Sequence, residues 1–300
     1  MPEFNVSGIT ADAFMCDVFE TKPFVFQNFL PDDFYGVADL NAALTQSMTS
    51  ELPFTIGMLG RTVRPDEYAS QVYNGIKQIK QPRTNPEKVE RLLQAGANLK
   101  IQRFSAVCPK VSSVVRDIAS WLQFVTSANG YFSYGMQRGL PVHWDSHDVM
   151  AVQLMGCKHW KIYKPGMALP LKMHRSQAGE SPDLKSPVLE LDLHAGDALY
   201  LPRGWWHDVT PVRGVKTLHI AIGLHPPIVS DFLAWVLDSQ TSQHVDFRKS
   251  IPLTAQALDT SALSCALSKA MTDPKLLQLY LARYNEGKLP RAYFDIFDEV

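Results

Sequence analysis

The chain has 300 residues, 46% hydrophobic and 20% charged, with a formal net charge of −1 and no low-complexity block among its 20 prolines and 17 glycines. That is the composition of a globular protein with one main core. Near-zero charge excludes broad electrostatic capture of nucleic acid, which needs clustered Lys and Arg, and no apolar run approaches the ~18 residues of a membrane span. The cysteines Cys16, Cys108, Cys157 and Cys265 lie far apart without a CxxC pair, so neither a disulfide scaffold nor a zinc knuckle is expected. No basic segment followed by an apolar core opens the chain, and the expected location is cytoplasmic, in a reducing compartment.

In chain order, Lys22 to Leu30 (KPFVFQNFL) reads as a β-type apolar run, and Asp32 to Met48 and Asn85 to Leu93 carry helical periodicity. The most cationic stretch, Lys77 to Arg91, is broken by Pro82 and Pro86 and diluted by Glu87 and Glu90. It reads as a solvated loop running into a helix, with no binding role. From Val111 to Ala128, apolar residues recur at three- and four-residue steps through Val125, an amphipathic helix that Asn129-Gly130 ends.

Short β-type runs follow at Tyr131 to Tyr134, Val149 to Met155, Lys158 to Tyr163, Val188 to Leu193, Ala198 to Leu201, Trp206 to Thr210 and Leu218 to Leu224. Many short strands punctuated by Gly and Pro mean a barrel or sandwich. Gly156-Cys157 suits a two-residue type II′ hairpin, so Lys158 opens a strand directly after a tight turn. Beyond Pro226-Pro227 the strand signals stop, and Val229 to Asp238, Thr254 to Met271 and Pro274 to Tyr284 read as helices. The expected layout is a β-rich domain over 1–227, with helices and strands before the barrel, and a helical region over 228–300 that packs on its own barrel or forms a homodimer.

Chemistry concentrates in two places. In Pro141-Val142-His143-Trp144-Asp145, a histidine and an aspartate stand two residues apart, so on a strand both project from one face, as two ligands of one metal must. Far downstream, the run Gly196 to His207 (GDALYLPRGWWH) gives a turn, a short strand, a second turn and a histidine that a barrel can bring beside the HxD pair. Two imidazoles and a carboxylate on one face of an octahedron suit a non-heme Fe(II) with open positions. Catalytic zinc also takes three protein ligands, so the triad alone does not choose the metal.

From about Phe14 to Leu224 the sequence resembles the JmjC-type 2-oxoglutarate oxygenases, and within them the ribosomal oxygenases that hydroxylate protein side chains. The resemblance is carried by Ala97 to Ile101 (ANLKI), Gly139 to Asp145 (GLPVHWD), Val152 to Tyr163 (VQLMGCKHWKIY) and Gly196 to His207. It implies a mainly β fold, a double-stranded β-helix (cupin or jelly-roll) barrel with a helical appendage. It further implies Fe(II) on His143, Asp145 and His207, 2-oxoglutarate and O2 as co-substrates, and Lys158 paired with the distal carboxylate of 2-oxoglutarate. A buried dianion needs such a cation. Tyr131 matches a tyrosine that shares this carboxylate, and Asn129 lies in the same matched stretch. Some relatives carry a hydroxyl or amide late in the barrel, where this chain has His219-Ile220-Ala221-Ile222.

Hydroxylation of an amino-acid side chain in a protein or peptide is the reading this resemblance implies. Its rivals are hydroxylation of a free amino acid or small metabolite, N-methyl demethylation, a metal-assisted hydrolase or isomerase that needs no Lys158, and a non-catalytic cupin binding protein. His147 is a candidate for the substrate side of the pocket and His219 for an inward-facing position. His159, His174, His194, His225 and His244 have no constellation around them. Trp144, Trp205 and Trp206 flank ligand candidates and are expected to pack the barrel wall, with Trp144 also a candidate to border the substrate.

Overall fold

The structure is a computed structural model, and it describes residues 4–6, 8–49, 54–75, 78–135, 139–177, 180–241, 243, 245–251, 253 and 261–286. His244, Lys77 and residues 254–260 of the helix expected over Thr254 to Met271 lie outside them. The described residues fall into two compact units, one up to Leu224 and one from His225 onward.

The first unit begins with α1 (Ala11–Asp17), β1 (Phe24–Phe26), α2 (Val37–Thr49), β2 (Phe54–Met58), β3 (Arg61–Thr62), α3 (Pro65–Tyr68), β4 (Ala69–Asn74), β5 (Ile79–Thr84) and α4 (Pro86–Gln94). It continues through β6 (Asn98–Ile101), α5 (Pro109–Leu122), β7 (Val125–Tyr134), β8 (Asp148–Met155), β9 (Cys157–Pro165), β10 (Leu189–His194), β11 (Ala198–Leu201), β12 (Trp205–Pro211) and β13 (Lys216–His225). An eight-stranded sheet runs β1-β11-β8-β13-β7-β6-β2-β3, a three-stranded sheet β10-β9-β12, and β4 and β5 form a separate hairpin.

The two larger sheets meet through Ala151, Leu199 and Leu201 on one side and Trp160, Ile162 and Leu193 on the other. The opposite face of the large sheet carries the main core, where Phe14, Phe26, Val111, Val115 and Ile118 pack against Met150, Val152, Tyr200 and Ile222. Strand β8 lies between these layers, and all eight of its residues are buried. That is why Val149 to Met155 reads as an apolar run, interrupted only by Gln153, rather than an alternating one.

Three expectations are corrected. The helix over Val111 to Ala128 stops at Leu122, because Gln123 turns left-handed at φ 58° and caps it. Asn129-Gly130 therefore lies inside β7, where Thr126, Ala128, Gly130 and Phe132 are buried in alternation. Gly130 is required there by close approach, since a Cβ would sit 2.5 Å from the Phe104 ring. The stretch expected as a solvated loop contains β5, paired antiparallel with β4 in register Gln71 opposite Pro82. A proline is tolerated because a two-stranded hairpin consists of edge strands.

The third correction concerns Gly156. It does have positive φ, +64°, but β8 and β9 do not pair with each other: β8 pairs with β11 and β13, and β9 with β10 and β12. Gly156 is a corner at which the chain leaves one sheet for the other, with the Lys216 carbonyl where a Cβ would lie. The second unit holds α6 (Val229–Thr241), α7 (Ser261–Thr272) and α8 (Pro274–Glu286), with the Tyr284 hydroxyl donating to the His225 carbonyl at 2.7 Å. Among the described residues no helix is long and apolar enough to cross a membrane.

Because the Gly156 corner combines positive φ with a backbone obstruction, Gly156→Ala should cost about 2 kcal/mol or more in urea unfolding. A loss below about 0.5 kcal/mol, the usual surface scatter, would show that the corner relaxes freely.

Candidate active site

A cavity of about 340 Å³ opens between the inner faces of the two sheets. His143 and Asp145 enter it from the segment before β8, His207 from β12, Lys158 and Trp160 from β9, Tyr131 from β7 and His219 from β13. Asn98 and Lys100 of β6 and Thr55, Met58 and Arg61 of β2 and β3 line it further out. In the sequence ANLKI carries part of the resemblance without a site role, and nothing in Phe54 to Thr62 marks the hairpin.

The HxD pair is not on a full strand. His143 forms an isolated antiparallel bridge with His207, each donating its backbone N–H to the other's carbonyl, at 3.2 and 2.8 Å. Gly204 N then donates to Asp145 O at 2.9 Å. This short zip places one ligand-type atom from each of His143, Asp145 and His207 within 4.8 Å of the other two.

The imidazoles are oriented alike. His143 Nδ1 lies 2.9 Å from the Pro141 carbonyl and His207 Nδ1 lies 3.1 Å from the Trp205 carbonyl, each two residues back in the chain. A carbonyl only accepts, so each Nδ1 carries a proton, and in the neutral imidazole the lone pair then lies on Nε2. His207 Nε2 is 3.7 Å from Asp145 Oδ2. Burial, followed by the proximity of His143, pushes His207 down to about 4, which keeps it neutral, as a metal ligand must be. Donor set and spacing fit a divalent ion with open positions.

A second group lies in the same cavity. Lys158 is 3% exposed, and its Nζ donates to the Tyr131 carbonyl at 2.9 Å and sits 2.9 Å from His219 Nδ1. Among the described residues no carboxylate pairs with it, and burial pushes its ammonium down to about 7. Tyr131 stacks on His219 with ring centres 5.1 Å apart, and burial, then the Asp145 charge, push its hydroxyl up to about 12. His219 itself is held well below its usual value, by burial first and Lys158 second.

The remaining candidates separate clearly. Asn129 is not in the cavity lining but hydrogen-bonds the side chain of Tyr131, which is; its Oδ1 accepts from Arg103 N at 3.1 Å, where the backbone turns left-handed. His147 is half-buried and also outside the lining. Trp144 packs with Tyr163 and Trp206 instead of bordering the cavity. His159 sits between Asp192 (2.7 Å) and Glu190 (3.0 Å) on the outer face of the small sheet.

One pair at the site was not foreseen. Asp148, three residues after Asp145, and Arg203, four before His207, are 1% and 8% exposed and meet at 2.6 Å. Asp148 also accepts from the Tyr200 hydroxyl at 2.8 Å, and Arg203 reaches Glu20 at 2.6 Å. The pair clamps together the two segments that carry the triad.

Residues 105–232 match the family model described as a JmjC domain. The chain is 23% identical over 251 residues to the bifunctional lysine-specific demethylase and histidyl-hydroxylase NO66 of Culex quinquefasciatus, covering 81% of this chain and 37% of that protein. It is 29% identical over 197 residues to ribosomal oxygenase 1 of Homo sapiens, covering 61% and 30%. It thus spans well under half the length of these relatives. YcfD, a ribosomal oxygenase from Escherichia coli solved with cobalt and 2-oxoglutarate, superposes with a TM-score of 0.60 at 14% identity, covering 94% of this chain and 72% of that one. Residues 105–232 are thus similar to a JmjC domain, and the chain shares the cupin-type fold of its solved structural neighbour.

Removing one member of the clamp leaves a buried charge. Arg203→Met should cost about 3–5 kcal/mol in urea unfolding, and the double variant Asp148→Leu/Arg203→Met should recover most of it. A double variant as unstable as the single would mean that the pair is not the origin of the loss.

Proposed function

We propose that the protein is an Fe(II)- and 2-oxoglutarate-dependent oxygenase that hydroxylates an amino-acid side chain of a protein or peptide. One observation carries this reading: a His/Asp/His set, with both imidazoles held at Nδ1 by backbone carbonyls so that Nε2 is the ligand-type nitrogen, shares a cavity with a buried lysine that has no carboxylate partner among the described residues. A hydrolase or a binding cupin has use for the first feature only. Likeness to relatives named ribosomal oxygenase and histidyl-hydroxylase supports a protein substrate over a free metabolite.

In this reading His143, Asp145 and His207 hold the iron, and Lys158, flanked by Tyr131, holds the distal carboxylate of 2-oxoglutarate. Iron, 2-oxoglutarate and O2 together supply the power to place one oxygen atom in a substrate C–H bond, leaving succinate and carbon dioxide. The protein's own residues set the stage. Backbone carbonyls of Pro141 and Trp205 fix the imidazole planes, Trp160, Val209 and Leu201 exclude water from the inner cavity, and the exposed Leu59 and Leu140 flank its outer part, where a substrate would enter.

We further infer that residues 1–227 form the catalytic domain and that helices within 228–300, whose Leu277, Leu279 and Leu281 are exposed within their own unit, serve a cytoplasmic homodimer. No nucleic-acid partner is included.

Purified protein reconstituted anaerobically with Fe(II), then given 2-oxoglutarate and O2, should form succinate, followed by NMR. His143→Ala should abolish it, and Lys158→Ala should raise the 2-oxoglutarate requirement roughly 30-fold, equivalent to about 2 kcal/mol for one contact to a charged group. Metal binding without co-substrate turnover would favour a hydrolase or binding protein. Charge also sets a pH dependence. Free Lys158 is half neutral near pH 7, and a bound carboxylate raises its pKa, so binding takes up a proton above that pH. The dissociation constant of 2-oxoglutarate should therefore rise from about pH 7 upward, by at most about tenfold per unit. Lys158→Arg, which stays charged, should flatten the profile, and an equally steep profile in that variant would remove Lys158 as its cause.

A further inference from the structure

We propose that His219 is a co-substrate-binding residue, its Nε2–H and the Lys158 ammonium together holding the distal carboxylate of 2-oxoglutarate. The inference rests on the oxygenase reading above and concerns one end of that same site. A lysine ammonium has three protons. One is directed to the Tyr131 carbonyl and one to His219 Nδ1, both at 2.9 Å, which leaves the third for the cavity that Lys158 lines.

Accepting at Nδ1 places the imidazole proton on Nε2. Among the described residues nothing engages that N–H, although His219 is only 7% exposed and lines the cavity. That N–H is not among the side-chain atoms sealed off without a partner, so it faces the open space of the cavity, where a ligand oxygen can take the place of water. The ring is also fixed in plane, stacked on Tyr131 at 5.1 Å and 12° and edge-on to Trp160 at 5.4 Å and 73°. One nitrogen is thus spent on the lysine and the other presented to the cavity. Two N–H donors on one side of a pocket suit the two oxygens of a carboxylate.

The test is calorimetry under nitrogen on Mn(II)-loaded protein, with 2-oxoglutarate and with 2-oxobutyrate, which lacks the distal carboxylate. His219→Phe keeps a flat ring but has no N–H; it should weaken 2-oxoglutarate about tenfold or more, the loss of one hydrogen bond to a charged group, and leave 2-oxobutyrate unchanged. His219→Gln, with an amide N–H, should recover part of the loss. If Lys158→Met loses 2-oxoglutarate while His219→Phe binds it like wild type, or loses both ligands equally, the role of His219 is overturned and the oxygenase reading stands. If wild type binds no 2-oxoglutarate, or Lys158→Met binds it as well as wild type, that reading falls and this inference with it. Should His219→Phe not fold, wild type with Zn(II) and 15N-labelled histidine decides: the His219 ring must carry its proton on Nε2, and that resonance must move when 2-oxoglutarate is added. A proton on Nδ1 or an unmoved resonance overturns the proposal.

Discussion

The site depends on two segments, distant in sequence, being held edge to edge: residues 143–148 and 203–207. Three contacts set the register, namely the reciprocal His143–His207 bridge, the Gly204–Asp145 hydrogen bond and the Arg203–Asp148 ion pair. A one-residue slip would send one histidine to the opposite face and disperse the triad. Burying an ion pair costs desolvation on both sides, so its gain in stability over an apolar pair is small. What it adds is specificity of register, because either charge left alone in that position is heavily penalised. Tyr200 from β11 and Glu20 from the loop after α1 complete the network and tie the zip to the large sheet and the layer packed on it.

Around that zip the barrel is apolar, and this gives the remaining charges their meaning. Lys158 reaches the cavity from a strand whose neighbours Trp160 and Ile162 are core residues. Its hydrogen bonds go to a neutral carbonyl and an imidazole, neither of which offsets a positive charge. A cation kept in such surroundings is disfavoured until an anion joins it. Binding of a dicarboxylate at Lys158, as proposed, would relieve an electrostatic cost already present in the protein.

Much of this was legible in the sequence, for identifiable reasons. The seven strand runs of the barrel were readable because their apolar residues are core on one face or both, and HxD and the distal histidine because ligand chemistry narrows the residue types. Asn129-Gly130 misled because Val125 satisfies both the helical step from Trp121 and the start of an alternating strand, and a left-handed Gln123 is not a recognisable stop. Gly156 showed its positive φ but not its partner strands, since a corner and a hairpin need the same residue. The Asp148–Arg203 clamp and the His219–Tyr131 stack are contacts over 55 and 88 residues, which no local pattern encodes.

The measurement that bears most directly on this account is a crystal structure of the protein grown anaerobically with Mn(II) and 2-oxoglutarate, the metal located by its anomalous signal. The account predicts one metal ion bound by His143, Asp145 and His207, with 2-oxoglutarate on it and the distal carboxylate at Lys158. Metal at other residues, or a distal carboxylate directed away from Lys158, would contradict it.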